Sequence, residues 1–363
     1  MSTTDEERPG AALEVVLGVD THLDAHVAVA LDHLGRRLGV ATLPTTEKGY
    51  EQLVSWAQGL GPVRCAGVEG TSSYGAGVAR HLKSRGIEVL EIERPKRRQR
   101  STSRRNGKSD HADAEAAARI VLAGEAAGVP KSGDGCVEMI HVLRAARRAA
   151  VKARTQAANQ LRNLLVTAPE GLRGRLRELS TKALVATAVR FRPGDSPGNP
   201  EEATRFALRS VARRYRSLSE EIVELDVQLT RLVTRVAPGL VALPGVGTDH
   251  AATLLVAAGD NPERLRSEAS FASLCGVSPV QASSGKVVRH RLNRGGNRDA
   301  NRALHSICVV RMGRDRRTQA YVTRRTVEGK SKREIMRCLK RYVAREVYRI
   351  LISTAAPPAP IGS

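Results

Sequence analysis

Four acidic residues in the first third of the chain have the types and spacing of a metal site. Asp20 ends the apolar run VVLGVD, Glu69 ends VRCAGVE, and Asp110 and Asp113 open the alanine-rich run DHADAEAAA. Residues three apart lie on one face of a helix, so the last two would point the same way. Carboxylate oxygens are the ligands of hard cations, and two ions about 4 Å apart assist phosphoryl transfer. If the four carboxylates converge in the fold, they would hold two Mg²⁺ ions, with Mn²⁺ as the alternative.

Each of these acids also has an ordinary structural explanation. The helix dipole and helix capping favour acids in the first turn of a helix, and a lone acid at a strand end is common. What favours the metal site is the set, because a basic chain carries these acids at three places that one fold would use. Asp24 and His111 are close in sequence, but the site requires neither, and both are expected at the surface.

The order of the predicted elements indicates the fold that would position the acids. Residues 15–43 contain three short apolar runs separated by polar breaks, which predicts three strands. A helix near 46–59, a strand ending at Glu69, a helix after Tyr74 and a fifth strand, GIEVLEI, follow. A three-strand meander followed by alternating helix and strand is the order of an RNase H-like domain. In that fold Asp20 and Glu69 would end neighbouring strands.

The rest of the chain is predicted to be mainly helical. A heptad seam typical of two helices packed side by side consists of Val211, Tyr215, Leu218, Ile222, Leu225, Leu229, Leu232 and Val236. The Pro/Gly-rich segment RFRPGDSPGNP, residues 190–200, breaks the helical pattern before it. Two helices of one chain, or a pairing with another subunit, would explain the seam equally well. Further amphipathic helices are expected near 299–312 and 331–351.

The composition indicates an anionic partner. The 363 residues include 59 Lys and Arg against 37 Asp and Glu, a formal net charge of +22. Such an excess is typical of proteins that bind nucleic acid. A membrane is disfavoured, because no run of 18 apolar residues and no signal-peptide pattern is present. The five cysteines form no CxxC pair, so neither zinc nor disulfides are indicated and a cytoplasmic location is expected.

Two basic stretches and one glycine turn are the candidate nucleic-acid contacts. ERPKRRQRSTSRRNGK leads into the presumed metal helix, so it is expected to follow the phosphate backbone without reading sequence. LPGVGTDHAATLL is similar to the hairpin of a helix-hairpin-helix unit, whose glycines let backbone N–H groups approach a phosphate, although a structural turn would look the same. The candidates are Arg97, Arg98, Arg100, Arg104, Arg105, Lys108, Gly245, Gly247, Lys286, Arg289, Arg291 and Arg294.

The segment QASSGKVVRHR adds a candidate nucleophile. Ser283 and Ser284 precede a glycine and a basic cluster that includes Lys286, Arg289 and Arg291. A serine hydroxyl needs a base or a cation to become a good nucleophile, and cations would stabilise the charge on an attacked phosphate. A Ser-Ser-Gly sequence is most often only a turn, so this spacing alone does not assign catalysis.

Together these segments resemble one family. GVDTHLDAH, GVEGTSSYG, KSDHADAEAAA, LPGVGTDHAATLLVAAGD and SFASLCGVSPVQASSGKVVRHRLNRGGNRDANRAL are similar to the DEDD transposases of the IS110 insertion-sequence family. The similarity covers residues 14–125 and 238–350, whereas the middle is similar only in being helical. Where family members often read GLTP, this chain has CGVSP, a mild departure that changes no catalytic residue.

The resemblance implies both a fold and a set of site residues. The fold would be an α/β RNase H-like (RuvC-like) N-terminal domain, a helical coiled-coil middle, and a mainly α C-terminal domain with a helix-hairpin-helix-like unit. We place these domains at residues 13–128, 138–237 and 238–353, with disordered ends at 1–12 and 354–363. By the resemblance, the tetrad that binds metal falls on Asp20, Glu69, Asp110 and Asp113 and the nucleophile on Ser284, with Ser283 as its competitor.

The predicted function is that of a DNA transposase or recombinase which cuts and rejoins donor and target DNA. The resemblance implies direction by a structured RNA, and action in a bacterial cytoplasm on the nucleoid. Ser284 and the acids fall in different predicted domains, so they would meet in an assembly, as a homodimer or tetramer. One alternative is a junction-resolving nuclease that needs the acids but not Ser284. A second is a non-catalytic nucleic-acid-binding protein with no need for a divalent metal.

Overall fold

A computed structural model describes residues 14–92, 109–126, 128–194, 197–281, 290–291, 293 and 295–354. The chain forms two compact units, Met1–Gly135 with Ala258–Arg266, and Cys136–Ala257 with Ser267–Ser363. The predicted disordered ends lie outside the described residues, apart from Thr354, which is the last residue of a helix. The three domain boundaries drawn from the sequence stay predictions.

The first unit is built on a mixed five-stranded sheet. Its strands are β1 (Val15–Thr21), β2 (Ala25–Leu31), β3 (Arg37–Pro44), β4 (Val63–Glu69) and β5 (Glu88–Ile92). The order across the sheet is β3-β2-β1-β4-β5. The pairs β1–β2 and β2–β3 are antiparallel, whereas β1–β4 and β4–β5 are parallel. The predicted meander with two added parallel strands is therefore confirmed, and Asp20 and Glu69 lie at the ends of neighbouring strands.

In the part of the unit that the structure describes, three helices cover the two faces of this sheet. They are α1 (Glu47–Leu60), α2 (Ala76–Ser84) and α3 (Asp110–Leu122). One face packs its apolar residues against α1 and α2, and the other packs against α3, in two separate buried clusters. Strand residues alternate between these clusters, as the two-residue period of a strand requires. The α3 face is the one on which Asp20 and Glu69 fall by this alternation.

Two glycines let α3 lie directly on the sheet. Gly18 of β1 and Gly67 of β4 are opposite each other in the strand register. A Cβ atom at Gly18 would overlap the backbone of Ala114 and Ala118 in α3, and one at Gly67 would stand 2.6 Å from Cγ2 of Val121. Any larger residue would push the helix away from the strands. These glycines therefore fix the distance between α3 and the end of β1.

The second unit begins with two long helices and two short ones between them. They are α4 (Cys136–Val166), α5 (Glu170–Leu176), α6 (Thr181–Val189) and α7 (Pro200–Val236). The predicted break at residues 190–200 falls between α6 and α7 and is confirmed. Helices α4 and α7 pack against each other within one chain, and Ile222 and Leu229 of the predicted seam are buried. A helical hairpin thus accounts for much of the seam, and a coiled coil with another subunit stays a prediction.

The remainder of the second unit is helical, with one two-stranded ribbon. Its elements are α8 (Pro238–Val241), α9 (Thr248–Ala258), α10 (Glu268–Leu274), β6 (Val280–Gln281), β7 (His290–Arg291), α11 (Arg298–Arg314), α12 (Arg316–Val327) and α13 (Lys332–Thr354). Helices α11 and α13 match the two predicted amphipathic helices, and α12 between them was not predicted. None of the helices in the described ranges is long and apolar enough to cross a membrane.

Candidate metal centre

Asp20 is the central acid of the candidate site. It lies one residue before the end of β1, and its side chain is only 6% exposed. Burial raises the pKa of this carboxyl above its ordinary value, the nearby carboxylates of Asp113 and Asp110 raise it further, and His22 opposes the shift. A buried acid with other acids beside it is stabilised by a proton or by a cation.

Helix α3 brings the second acid to the same place. Ser109 caps this helix, with its Oγ atom accepting a hydrogen bond from the backbone N–H of Ala112 at 3.2 Å. Asp110 is the first residue of the helix and Ser109 is its N-cap. Capping therefore does not explain why an acid occurs at position 110. The Asp110 side chain is 51% exposed, which leaves its oxygens accessible to a ligand.

A histidine links the two acids. The Nε2 atom of His22 lies 3.1 Å from Oδ2 of Asp20 and 3.5 Å from Oδ1 of Asp110. Among the described residues these three offer ligand atoms that all lie within 4.8 Å of one another. His22 is not among the residues predicted from the sequence. The sequence did contain a signal for His22. Side chains two residues apart in a strand point to the same face of the sheet, so His22 is expected on the same face as Asp20.

Glu69 and Asp113 lie outside this set of three. Glu69 ends β4, is 8% exposed, and its backbone carbonyl accepts a hydrogen bond from Oγ1 of Thr21 at 3.0 Å. That bond ties the ends of β1 and β4 together. Asp113 is one helical turn beyond Asp110 and is close enough to raise the pKa of Asp20. The structure therefore brings Asp20 and Asp110 together, and metal binding by Glu69 and Asp113 stays a prediction.

The donor atoms of this centre fit a divalent cation. Two carboxylates are ordinary ligands of Mg²⁺ or Mn²⁺, and an imidazole nitrogen beside them is an ordinary ligand of transition metals. Two ligand atoms on opposite sides of such an ion, each about 2.1 Å from it, are about 4.2 Å apart. Nε2 of His22 is within that distance of both carboxylate oxygens, at 3.1 and 3.5 Å, and all three atoms lie within 4.8 Å of one another. A cation would also offset the repulsion between Asp20 and the neighbouring acids and the cost of burying the Asp20 carboxylate.

The predicted phosphate turn lies in the second unit, between α8 and α9. Gly245 has a φ of 76°, which favours glycine, and a Cβ at Gly247 would meet nothing within 4 Å. The buried Arg311 holds this turn, because its Nε donates to the carbonyl oxygen of Pro244 at 2.7 Å and its Nη1 to Oε2 of Glu346 at 2.7 Å. A surface cavity of about 610 Å³ lies beside it. The helix-hairpin-helix assignment stays a prediction.

The side chains of both candidate nucleophiles and of the predicted basic contacts lie outside the described residues, although β7 includes the backbone of one of them. They are Ser283, Ser284, Arg97, Arg98, Arg100, Arg104, Arg105, Lys108, Lys286, Arg289, Arg291 and Arg294.

Comparison with known proteins adds three similarities. Residues 17–168 match a model of DEDD-type IS110 transposases, described as a transposase. Residues 238–323 match a model described as the transposase IS116/IS110/IS902 family. The "Insertion element IS110 uncharacterized 43.6 kDa protein" of Streptomyces coelicolor is 32% identical over 125 residues. That alignment spans 34% of this chain and 31% of the relative, so it supports a shared segment and not a shared whole.

Proposed function

We propose that the chain is an insertion-sequence transposase of the IS110 family, which its two family matches support, and that it cuts DNA strands and rejoins them at a second DNA site. The observation that carries this proposal is the convergence of Asp20 and Asp110, from a strand and a helix, on one point with His22 between them. A buried acid next to a second acid costs stability, and a metal-dependent role explains why both occur there.

The acids would hold the divalent metal that the DEDD type of transposase generally uses. Asp20 and Asp110 are the primary ligands in this proposal, with Glu69 and Asp113 completing the set from the end of β4 and the next turn of α3. The metal supplies charge stabilisation to a phosphate under attack and activates the attacking oxygen. The residues' own part is to fix where the metal lies relative to the DNA backbone.

Ser284 is the proposed nucleophile. Its hydroxyl oxygen would form a bond to a backbone phosphorus as the bond to the leaving DNA oxygen breaks. The resulting ester between Ser284 and the DNA keeps the energy of the broken phosphodiester bond. A second DNA end can therefore be joined without a further energy source. The basic residues Lys286, Arg289 and Arg291 of the same segment would stabilise the negative charge on the attacked phosphate.

DNA and RNA backbones are the proposed partners of the basic surface. The net charge of +22 calls for an anionic partner, and the open side of Gly247 leaves room for a phosphate beside the N-terminus of α9. Arginines of the segment between β5 and α3, such as Arg97 and Arg104, would follow the backbone. Aromatic residues make up only 3% of the chain, so recognition of sequence by base stacking is limited and pairing by a guide RNA is the proposed route.

A homo-oligomer is the proposed working form. Val223 and Val227 lie one turn apart on α7, and their side chains are exposed although apolar. Exposed apolar residues at this spacing are typical of a helix face that packs against another subunit. Light scattering coupled to size-exclusion chromatography would test this, with Val223→Lys expected to lower the measured mass and an unchanged mass counting against the interface.

Cleavage of DNA that carries the ends of the chain's own insertion sequence tests the chemistry. Wild-type protein is expected to nick this DNA in Mg²⁺ and to form a covalent protein–DNA adduct resistant to denaturation. Asp20→Asn should lower both by about 100-fold or more, because the metal's charge stabilisation is worth several kcal/mol and about 1.4 kcal/mol is tenfold in rate. Ser284→Ala should abolish both, whereas Ser283→Ala should retain them.

The same assay separates the alternatives. Cleavage and adduct that both survive Ser284→Ala would overturn the serine assignment, and loss only in Ser283→Ala would move it by one residue. Cleavage without any adduct in the wild-type protein would indicate a metal-dependent nuclease. Binding without cleavage in any divalent metal would indicate a non-catalytic nucleic-acid-binding protein.

Sequencing of co-purifying nucleic acid tests the guide. A single discrete RNA species bound to the wild-type protein is the expected result. Bulk cellular RNA of mixed length would be explained by the net charge alone and would contradict RNA guidance. Asp20→Asn serves as the control, because it should lose cleavage and keep the RNA.

A further inference from the structure

His22 is the residue of the metal centre to which neither the sequence pattern nor the proposed acidic set assigns a role. It lies one residue beyond β1, and its Nε2 atom is 3.1 Å from Asp20 and 3.5 Å from Asp110. Among the described residues, Asp20, His22 and Asp110 are the one set of three His, Cys, Asp or Glu residues whose ligand atoms all lie within 4.8 Å of one another. We propose that His22 is a metal ligand through Nε2, and that it makes the site select Mn²⁺ or a similar transition metal over Mg²⁺.

The position of Nε2 argues for ligation. The atom lies close to both carboxylates at once, which is the place that a shared cation would occupy or border. The donor atoms of all three residues lie within 4.8 Å of one another, slightly more than the roughly 4.2 Å across an ion bound at about 2.1 Å on each side. Small rotations of the half-exposed His22 and Asp110 side chains would bring all three within reach of one ion. A cation held by Asp20 and Asp110 would therefore have Nε2 of His22 as a neighbouring donor atom.

The chemistry of the donor set then decides which ion is favoured. Mg²⁺ is bound mainly by oxygen and keeps much of its water. Imidazole nitrogen is a better ligand for first-row transition metals than for Mg²⁺. An Asp-His-Asp set should therefore raise the affinity for Mn²⁺ more than the affinity for Mg²⁺. This proposal rests on the proposed metal site and adds its selectivity.

The local structure makes His22 suitable for this role. Its backbone N–H donates to Nδ1 of His26 over 3.4 Å, and His26 is buried and stacked on Tyr50 at a ring distance of 5.8 Å. This contact connects the backbone of His22 to a buried part of the first unit. Its side chain is 44% exposed, so replacing it should leave the fold intact.

A simple hydrogen-bonding role for His22 makes a different prediction. If the imidazole only orients Asp20, its removal should weaken Mg²⁺ and Mn²⁺ binding by the same factor. If Nε2 is a ligand, removal should weaken Mn²⁺ binding on the order of 10- to 100-fold, the loss seen even for groups that only support a ligand. Mg²⁺ binding should change by much less.

The experiment uses full-length protein without an affinity tag and freed of nucleic acid, with Mn²⁺ alone as the paramagnetic probe. Pulsed electron paramagnetic resonance detects the ¹⁴N nucleus of a coordinated imidazole directly. The wild-type protein should show this ¹⁴N modulation, His22→Gln should lose it, and His111→Gln should keep it. His111 is the matched control, because it is an exposed histidine on the same helix as Asp110 but outside the set of three. Competition of Mn²⁺ with Mg²⁺ gives the affinity ratio for each variant.

The outcomes distinguish this proposal from the one on which it rests. Mn²⁺ that binds in an Asp20-dependent way but shows no ¹⁴N modulation, or equal modulation in His22→Gln, overturns ligation by His22 and leaves the metal site standing. An equal loss of Mg²⁺ and Mn²⁺ affinity in His22→Gln overturns selectivity. Absence of any Mn²⁺ binding that Asp20→Asn removes would overturn the metal site itself. Matching melting curves of wild-type and His22→Gln protein establish that the fold is intact.

Discussion

Two pairs of glycines, one in each unit, serve different purposes that their sequence context does not reveal. Gly18 and Gly67 face the backbone of α3, and a Cβ atom at either would meet protein atoms. Gly245 and Gly247 belong to a turn, and a Cβ at Gly247 would meet nothing within 4 Å. The first pair brings one part of the protein close to another. In the second pair, Gly245 supplies the positive φ of the turn, and Gly247 leaves open space that a ligand could use.

The comparison also shows two ways of fixing backbone next to a site. In the first unit the absence of side chains lets α3 approach β1, so Asp110 reaches Asp20 by packing. In the second unit a side chain fixes the backbone, because the guanidinium of Arg311 donates a hydrogen bond to the carbonyl of Pro244. Added volume at the glycines of the first unit should therefore lower the free energy of unfolding strongly. Loss of the hydrogen bonds of Arg311 should lower it less.

Gly18→Ala should have the largest effect. The added methyl overlaps the backbone of Ala114 and Ala118, so α3 must move and the free energy of unfolding should fall by about 3 kcal/mol, the upper range for overpacking. Urea unfolding measures this, and Mn²⁺ affinity should fall with it as Asp110 moves from Asp20. Gly59→Ala is the control, since its Cβ would meet nothing within 4 Å in α1; there alanine should stabilise by about 0.5–1 kcal/mol. Equal stability of the two variants would contradict close packing of α3.

Arg311→Leu should have the next largest effect. It removes the hydrogen bonds to Pro244 and Glu346, and hydrogen bonds to charged groups contribute about 1.5–3 kcal/mol. The free energy of unfolding should fall by about 2 kcal/mol. A double-mutant cycle with Glu346→Gln isolates the part that belongs to the ion pair. A coupling energy near zero would show that the guanidinium holds the turn through Pro244 alone.

Asp20→Asn should change stability less, and in the opposite direction. The folded-state pKa of Asp20 is raised by burial and by neighbouring acids, so the folded protein holds this proton more tightly than the unfolded chain does. Burial of the charged carboxylate lowers the free energy of unfolding. This loss is absent below the ordinary aspartate pKa of about 4 and is complete once the pH exceeds the folded-state pKa. Without metal, the variant should therefore melt at a higher temperature than wild-type protein at neutral pH.

The proposed metal site predicts the reverse order of these two melting temperatures in the presence of metal. A divalent cation held by Asp20 would stabilise the folded wild-type protein by mass action, whereas the variant lacks this ligand. Thermal melts in chelator and in excess Mn²⁺ measure both. A variant that melts below wild type in chelator at neutral pH would contradict the raised pKa.

The sheet was predictable from the sequence because its strands are short apolar runs bounded by polar breaks and because a helix usually connects two parallel strands. The positions of Asp20 and Glu69 at adjacent strand ends followed directly from that order. His22 was not predicted, because a histidine just beyond a strand is not distinguished by its type or spacing, and its approach to Asp110 depends on where α3 packs. The contact of Gly18 with α3 could not be predicted either, since it depends on residues about 100 positions apart in the chain that meet only in the fold.

Gly247→Ala should have the smallest effect on stability and is the sharpest test of the comparison. Its φ is not in the left-handed region and its Cβ would face open space, so the free energy of unfolding should change by no more than about 0.5 kcal/mol. Binding of a short duplex DNA should still weaken if a phosphate approaches this backbone, and the slope of affinity against salt should be unchanged because no charge is lost. Arg314→Gln, at an exposed residue lining the same cavity, is the counterpart and should reduce that slope by about one. Unchanged affinity in both variants would make this pair of glycines as purely structural as Gly18 and Gly67.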